Sequence, residues 1–383
     1  MPGAGAYLRG MAVACAAGTQ TDDCLTALRA ARASAGSVTL DGFAEPLHLP
    51  YYRINDGAAL FDPARFERLL APVVRAAVDE AGLDTRDAQS LPLFIGSSCF
   101  GIGASEAAYA EALARDPEQA LPMPYCGYQD IADMAQRALD GNGDSYTFNT
   151  ACTSSANALL AALRALASGR HRHALVIGAE CANRTTLAGF AGMQLIAEAL
   201  RPFDAARSGV VLSEGVGAVV VSSQPGKRAD FVLRGGASNS DPYSVTTANP
   251  DGGSVAAVLR AALADAGIAA DAVRGIKAHG TATPSGDTAE ALGLRQVFER
   301  LPPITALKSR IGHTLGACGV IELVLYAQAV REGFLPATPG YTTPDPVLGI
   351  EPLTQAAEAS RGCYLLNQFG FGGNNTVLVL EAT

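Results

Sequence analysis

The stretch Tyr146-Thr147-Phe148-Asn149-Thr150-Ala151-Cys152-Thr153-Ser154-Ser155-Ala156-Asn157 changes character midway. Up to Asn149, its Tyr, Thr and Phe residues suit the pleated, half-buried surface of a strand. From Ser155 to Leu166 the chain is rich in Ala and Leu, the strongest helix formers, and reads as a helix. Cys152 falls where the strand stops and the helix starts, among residues that cap helix N-termini. A thiol there feels the positive end of the helix dipole and free backbone N–H groups. Its pKa is therefore expected below the free-thiol value of about 8.5. Such a cysteine is either a reactive nucleophile or a small buried core residue, and the stretch alone leaves both readings open.

The same order of strand, small-residue turn and Ala/Leu helix recurs at Pro303-Ile-Thr-Ala-Leu-Lys308, through Gly312-His313 and into Cys318–Val330. Downstream of each helix a strand follows glycines, Gly215-Val-Gly-Ala-Val-Val-Val in the first copy and Gly372-Gly-Asn-Asn-Thr-Val-Leu-Val-Leu in the second. Ala174–Glu180 is apolar on both faces, as a buried parallel strand is. The repeat predicts two similar α/β halves with buried mixed sheets, their reactive turns facing each other across a pseudo-twofold axis. Pro225, Gly226 and their polar neighbours put the boundary near Ser222–Arg228, dividing the chain into 1–222 and 223–383.

Toward the N-terminus, residues 6–16 read as a strand and Thr21–Arg32 as a helix, while Ser34–Asp56 mixes Gly, Pro and polar residues and is expected as a long surface segment. A helix from Ala64 to about Ala81 follows from Phe66, Leu69, Leu70, Val73, Val74, Ala77 and Val78 at helical spacing, with Pro63 ahead of it and Gly82 as its cap. Leu91–Ser97 reads as a short buried strand entering a plain small-residue turn, and 104–140 as helical with a Pro-rich break around Leu121–Pro124.

Composition narrows the function. Of 383 residues, 49% are hydrophobic and 17% charged, enough for a large core and unlike a disordered chain. The formal net charge of −9 argues against a general nucleic-acid binder, whose surface must neutralise phosphates. The eight cysteines are scattered without a C-x-x-C pair, as in a reducing cytoplasm rather than a disulfide framework or zinc site. No signal-peptide pattern opens the sequence and no apolar run approaches the roughly 20 residues of a membrane span. A cytoplasmic protein without a membrane span is expected.

Five histidines are present. His48 lies in the irregular early segment. His171 and His173 form an H-x-H in a polar connection, which lacks a third ligand for a metal. His279 and His313 each follow a strand-like run and enter a small-residue turn, Gly280-Thr-Ala-Thr-Pro-Ser-Gly-Asp287 and Thr314-Leu-Gly-Ala-Cys-Gly319. Strand ends in α/β sheets carry ligand-contacting residues. One Cys and two His meeting there suit thioester chemistry with proton or hydrogen-bond assistance, hence acyl transfer.

Four blocks then carry a family resemblance: Asn149-Thr-Ala-Cys152-Thr-Ser-Ser, His279-Gly-Thr-Ala-Thr-Pro-Ser-Gly-Asp287, Lys308-Ser-Arg-Ile-Gly-His313-Thr-Leu-Gly-Ala and Asn367-Gln-Phe-Gly-Phe371-Gly-Gly-Asn-Asn375. In order and spacing they resemble the β-ketoacyl synthases, decarboxylating condensing enzymes of the Cys-His-His type. Arg201-Pro-Phe-Asp204 and Ser213-Glu-Gly-Val-Gly-Ala add to the match, which runs from about Thr147 to the end. The resemblance implies the thiolase fold, two βαβαβαββ halves layered α-β-α-β-α.

It also implies roles. Cys152 accepts an acyl chain from an acyl carrier protein. The backbone N–H groups of Cys152 and Phe371 form an oxyanion hole, and Phe371 gates the acyl entry, with Phe369 as plain packing. His279 and His313 hold malonyl thioester and stabilise the enolate left by CO2. Lys308 supports them electrostatically and pairs with an acidic residue, for which Glu290 is the matching position; Asp287 and Glu322 lend polar support. No cofactor or metal is implied. The partners implied are acyl- and malonyl-carrier proteins, met by positive charge for which Arg65 and Arg68 are candidates, and a second subunit in a homodimer or a heterodimer with a ketosynthase-like chain. The sequence departs from the commoner pattern at Ala282, where Ser or Gly is usual, and at Asn374, where Thr is usual. Together with a shortened connection after Val221 these departures favour polyene or polyketide assembly over bulk fatty-acid synthesis. The rival readings are a non-catalytic chain-length-factor-like subunit, which would lack the nucleophile, and a thiolase-type acyltransferase, which needs a second catalytic Cys where this chain has Phe371-Gly-Gly-Asn.

Overall fold

The computed structural model describes residues 5–30, 35–118 and 127–383. Ten strands join in one continuous sheet. Across it, five run in the order Ala6–Cys15, Gly215–Ser222, His173–Glu180, Leu93–Gly96 and Ser145–Phe148; the next five run Phe231–Ser240, Asn374–Ala382, Gly362–Phe369, Val273–Lys277 and Ile304–Thr305. In each set the first two junctions are antiparallel and the last two parallel. The sets therefore repeat one topology. They meet where Ala6 and Tyr7 pair antiparallel with Leu233 and Val232.

Helices fill both sides of each set. The Ser154–Ala167 and Cys318–Arg331 helices share one buried cluster with residues of both sets, including Val13, Val219, Leu366 and Leu378, and so form a central layer. Every residue from Cys318 to Val330 is buried, Glu322 and Gln328 among otherwise mostly apolar residues, as in a helix at the centre of the core. The outer layers are Arg65–Ala81 with Asp130–Leu139 on the first set and Gly253–Ala266 with Pro284–Val297 on the second. The result is the α-β-α-β-α layering of the thiolase fold. Two glycines permit the close packing at its centre: a Cβ on Gly319 would lie 2.4 Å from Ala156 N, and one on Gly96 would lie 2.2 Å from Ser155 N.

Apolar spacing placed the first outer helix well. It spans Arg65–Ala81 and ends at Gly82, whose φ of 59° is the left-handed conformation that favours glycine. The first helix runs Thr21–Arg29, and the rest of its expected range falls partly on residues 31–34, outside those described. The 104–140 region contains Ile102–Arg115 and Asp130–Leu139, and the expected Pro-rich break lies outside the described residues. The expectation of an irregular surface segment before Asp56 is corrected. Gly36–Leu40 and Leu47–Tyr52 pair antiparallel, and Tyr51 and Tyr52 then pair with Leu212 and Ser213 in a separate three-stranded sheet. Its last strand is two residues long and remote in sequence, so no local pattern announces it. No helix among the described residues is long and apolar enough to cross a membrane.

Candidate active site

The strand Ser145–Phe148 ends four residues before Cys152, and the helix starts at Ser154 with Thr153 as its cap. Between them Ala151 takes a φ of 52°, a left-handed turn costing a non-glycine residue about 1 kcal/mol. The Ser154 hydroxyl donates to Ala151 O at 2.6 Å and accepts from Thr150 N at 3.0 Å, holding this turn. Other strained residues border the site, Phe203, Ala282 and Leu315, with φ of 63°, 62° and 47°.

Cys152 is buried. Burial pushes its thiol up to about 11, although Lys308 and the backbone N–H groups of Phe371 and Cys152 pull the other way. The expectation of a depressed pKa is thus corrected: the resting thiol is dry, and desolvation outweighs the helix terminus. Those two N–H groups are the pair expected for an oxyanion hole. Gly370 brings the second one close, since a Cβ there would lie 3.2 Å from Cys152 N. Asn374, in place of Thr, has partners: its Oδ1 accepts from Thr153 Oγ1 at 2.8 Å and Asn157 Nδ2 at 2.9 Å, tying the Phe371 turn to the nucleophile helix. Phe371 stacks on Phe190, centroids 5.6 Å apart and planes at 11°. Phe369 packs edge-on against the His279 ring at 5.8 Å and lines the site cavity.

His313 Nε2 lies 3.1 Å from Cys152 Sγ, and the His279 ring stands perpendicular to that of His313 at 5.6 Å. A sulfur and two imidazoles from remote parts of the sequence therefore meet at one point. They open on a cavity of 610 Å3 that is also lined by Thr281, Thr283, Phe369 and Phe371. Burial, then the charge of Lys308, holds both imidazoles well below their ordinary value, with Lys277 adding to the effect. Both are neutral at neutral pH, each with one ring N–H to offer.

A buried polar bed supports His279. Lys308 Nζ stands 3.2 Å from His279 Nδ1 and 2.6 Å from Glu322 Oε1. An ammonium only donates, so this contact favours the ring proton on Nε2. Gln368 Oε1, 2.9 Å from the same Nδ1, favours the opposite tautomer. Glu322 also accepts from Lys277 Nζ at 2.6 Å and Gln368 Nε2 at 3.1 Å. Burial opposes charge on both partners, yet the two lysines hold the Glu322 carboxyl below its ordinary value and Glu322 raises Lys308.

The pairing of Lys308 with Glu290 is corrected: Glu322 is its partner. Glu290 instead accepts from the backbone N–H groups of His279 at 2.8 Å and Gly280 at 2.9 Å and from Asn367 Nδ2 at 2.9 Å, fixing the histidine's main chain. Asp287 braces two strained residues, accepting from Phe203 N at 2.6 Å and Ala282 N at 3.0 Å; burial pushes it up to about 7. Arg65 is no docking residue. It is buried in an ion pair with Glu214 at 2.6 Å and with Asp56 at 2.8 Å, whereas Arg68 is exposed beside Asp62.

Sequence reasoning passed over Lys277, Gln368, Cys318 and Glu180. Cys318 Sγ donates to Cys152 O at 3.0 Å. Glu180 accepts from Ser98 Oγ at 2.6 Å and Gly316 N at 3.2 Å, so the turn after Leu93–Gly96 is pinned to the one after His313. The available signal was a charged residue closing an apolar strand, as in Gly275-Ile-Lys277 and Ala174–Glu180. No group of three or more His, Cys, Asp or Glu among the described residues is placed to hold a metal.

A two-copy sheet that delivers a cysteine from one copy and two histidines from the other is the arrangement of a condensing enzyme. Residues 54–225 match the β-ketoacyl synthase N-terminal domain and residues 231–342 its C-terminal domain, and the chain belongs to the β-ketoacyl synthase family, acyltransferases that form carbon–carbon bonds. It is 29% identical over 341 residues to the 3-oxoacyl-[acyl-carrier-protein] synthase 2 of Staphylococcus aureus (strain N315), covering 83% of this chain and 81% of that one. The enzyme of the same name from Vibrio cholerae serotype O1 is 27% identical over 328 residues, covering 80% and 79%. Among solved structures, the ishigamide ketosynthase/chain length factor superposes with a TM-score of 0.86 at 28% identity over 100% of both chains.

Proposed function

We propose that this chain is a β-ketoacyl-[acyl carrier protein] synthase that elongates a Cys152-bound acyl chain with malonyl units in fatty acid or polyketide assembly. The observation carrying this reading is the 3.1 Å approach of His313 Nε2 to Cys152 Sγ with His279 beside it at the end of one cavity. Its halves, 1–222 and 223–383, contribute the nucleophile and the histidines respectively.

In the loading step the Cys152 sulfur attacks the carrier thioester. Its proton passes to His313 and then to the departing carrier thiol, and the tetrahedral oxygen is held by the N–H groups of Cys152 and Phe371. A thiol near 11 is mostly protonated at neutral pH, so the neutral imidazole is needed as acceptor. In the second step the bond from the malonyl carboxylate to its methylene breaks, CO2 leaves, and the electron pair forms an enolate on the thioester. The Nε2–H of His279, the tautomer that Lys308 favours, holds that oxygen, and His313 joins it once its ring proton has moved from Nδ1 to Nε2. The enolate carbon attacks the acyl carbonyl, and Cys152 leaves as a thiolate that takes up a proton from water, since its own left with the carrier thiol in the loading step.

The partners are acyl- and malonyl-carrier proteins and a second subunit, identical or ketosynthase-like, placed against the edge strand Ser145–Phe148. The compartment is the cytoplasm. The presence of Cys152 speaks against a chain-length-factor role, and Phe371-Gly-Gly-Asn374 in place of a second cysteine speaks against a thiolase. The test is intact-mass analysis after incubation with a panel of acyl carrier protein thioesters, followed by malonyl carrier protein. An acyl adduct lost in Cys152→Ala and a product two carbons longer are expected; no adduct with any chain overturns the reading.

A further inference from the structure

Lys277 has no part in the chemistry just described, yet its side chain is fully buried two residues before His279. Its ammonium meets two groups, Glu322 Oε2 at 2.6 Å and Asn367 O at 2.5 Å. The Asn367 side chain in turn donates to Glu290. Lys277 therefore links the two carboxylates that build the His279 site: Glu322, which anchors Lys308, and Glu290, which clamps the His279 backbone. Among the described residues, the charges in this closed space are two carboxylates and two ammoniums, and Glu322 also faces the neutral Gln368 amide and Cys318 thiol. With Lys277 neutral, Glu322 would keep Lys308 alone and Glu290 only its neutral N–H donors. Water does not reach them, so one would take up a proton rather than stay charged.

We propose that Lys277 is a positioning residue that keeps Glu322 and Glu290 ionised, so that Lys308 stays on His279 Nδ1 and the His279 proton stays on Nε2, toward the substrate. The inference rests on the condensing reading above and extends it to a residue that touches no substrate. Glu322 is the first to respond, because it loses one of its two cations directly, and a protonated Glu322 releases Lys308. The sign follows. Removing the Lys277 charge raises the Glu322 pKa, the damage is greatest at low pH, and activity returns as rising pH ionises the carboxyl again.

The test is the malonyl-carrier-protein decarboxylation rate of wild type, Lys277→Met, Lys277→Gln and Lys277→Arg as a function of pH, with folding checked by thermal melting. In the Met and Gln variants kcat is expected to fall relative to wild type, with KM unchanged. The deficit should shrink by up to about tenfold per pH unit on raising the pH, the steepness of a single ionisation. Lys277→Arg, which keeps the charge, is expected to restore the wild-type pH profile. Should Lys277→Met not fold, Lys277→Gln, which retains a hydrogen-bonding head, is read in the same way. A deficit equal at every pH is the signature of packing alone and overturns the proposal, as do profiles parallel to wild type or a pH-dependent deficit that persists in Lys277→Arg. The two readings fail separately. A wild type that turns over, loses its activity in His279→Ala and is indifferent to Lys277 leaves the enzyme assignment standing, whereas a wild type with no turnover sinks that assignment itself.

Discussion

The two imidazoles sit 5.6 Å apart in contrasting surroundings. His279 is held at two points: by Lys308 and Gln368 at Nδ1, and by Glu290 at its main-chain N–H. His313 has its backbone paired with Val211 and Ser213, its Nε2 on the sulfur, and a buried Nδ1 with no hydrogen-bond partner. One ring is oriented by a charged bed, the other by the nucleophile it serves. The contrast fits a division of labour. An imidazole that must present an N–H to an enolate needs its tautomer imposed, whereas one that accepts and returns a thiol proton must be free to change which nitrogen carries it.

Removing the atom both rings face has the largest expected effect. Cys152→Ala should abolish condensation, measured as loss of elongated product, while Cys152→Gln keeps malonyl decarboxylation, because the enolate site does not need the sulfur. Equal decarboxylation and normal condensation in both variants would refute the assignment. Next comes Lys308→Met, which leaves Gln368 as the sole partner of His279 Nδ1 and moves the proton away from the cavity. A loss of decarboxylation on the order of 10²–10⁴-fold is expected, with acyl loading of Cys152 much less affected. If loading and decarboxylation fall together, the two rings are not separately controlled.

A smaller effect separates the rings by stability. His279→Ala leaves the Lys308 and Gln368 groups short of a partner inside the protein, whereas His313→Ala leaves only a thiol. Denaturant unfolding should show the first variant less stable than the second by about 1–3 kcal/mol. The smallest effect is on the pH dependence of unfolding. Both rings are held well below their ordinary value, so the unfolded chain takes up protons first as the pH falls through about 6.5. Stability should therefore be full above that pH and decline below it, by up to about 1.4 kcal/mol per pH unit for each ring, and His313→Gln should remove one ring's share.

Much of this was legible beforehand because strand-turn-helix repeats and helix spacing are local signals. Phe66 to Val78 gave their helix by periodicity, and the two glycine-led strands gave the repeat. What stayed hidden was decided by contacts remote in sequence. Glu290 and Glu322 are both acidic residues on helices near the site, and only the tertiary arrangement shows which one faces Lys308. The Leu47–Tyr52 strand finds its partner at Leu212–Ser213, and Arg65 reads as a surface cation until Glu214 is placed against it. The thiol pKa was misjudged for a related reason: a helix terminus can be read from spacing, whereas Cys152 is buried by residues remote in sequence, His313 and Cys318 among them.

The seam between the two five-strand sets has a further consequence. Its direct strand pairing is only Ala6 and Tyr7 against Leu233 and Val232, the shared central helices supplying the rest of the contact, while sulfur and imidazole are delivered from opposite sides of it. A slip of a single residue along this ribbon would move one side by about 3.3 Å, as much as the whole sulfur-to-nitrogen gap. Turnover should thus be a finer gauge of the register between the two sets than any melting curve.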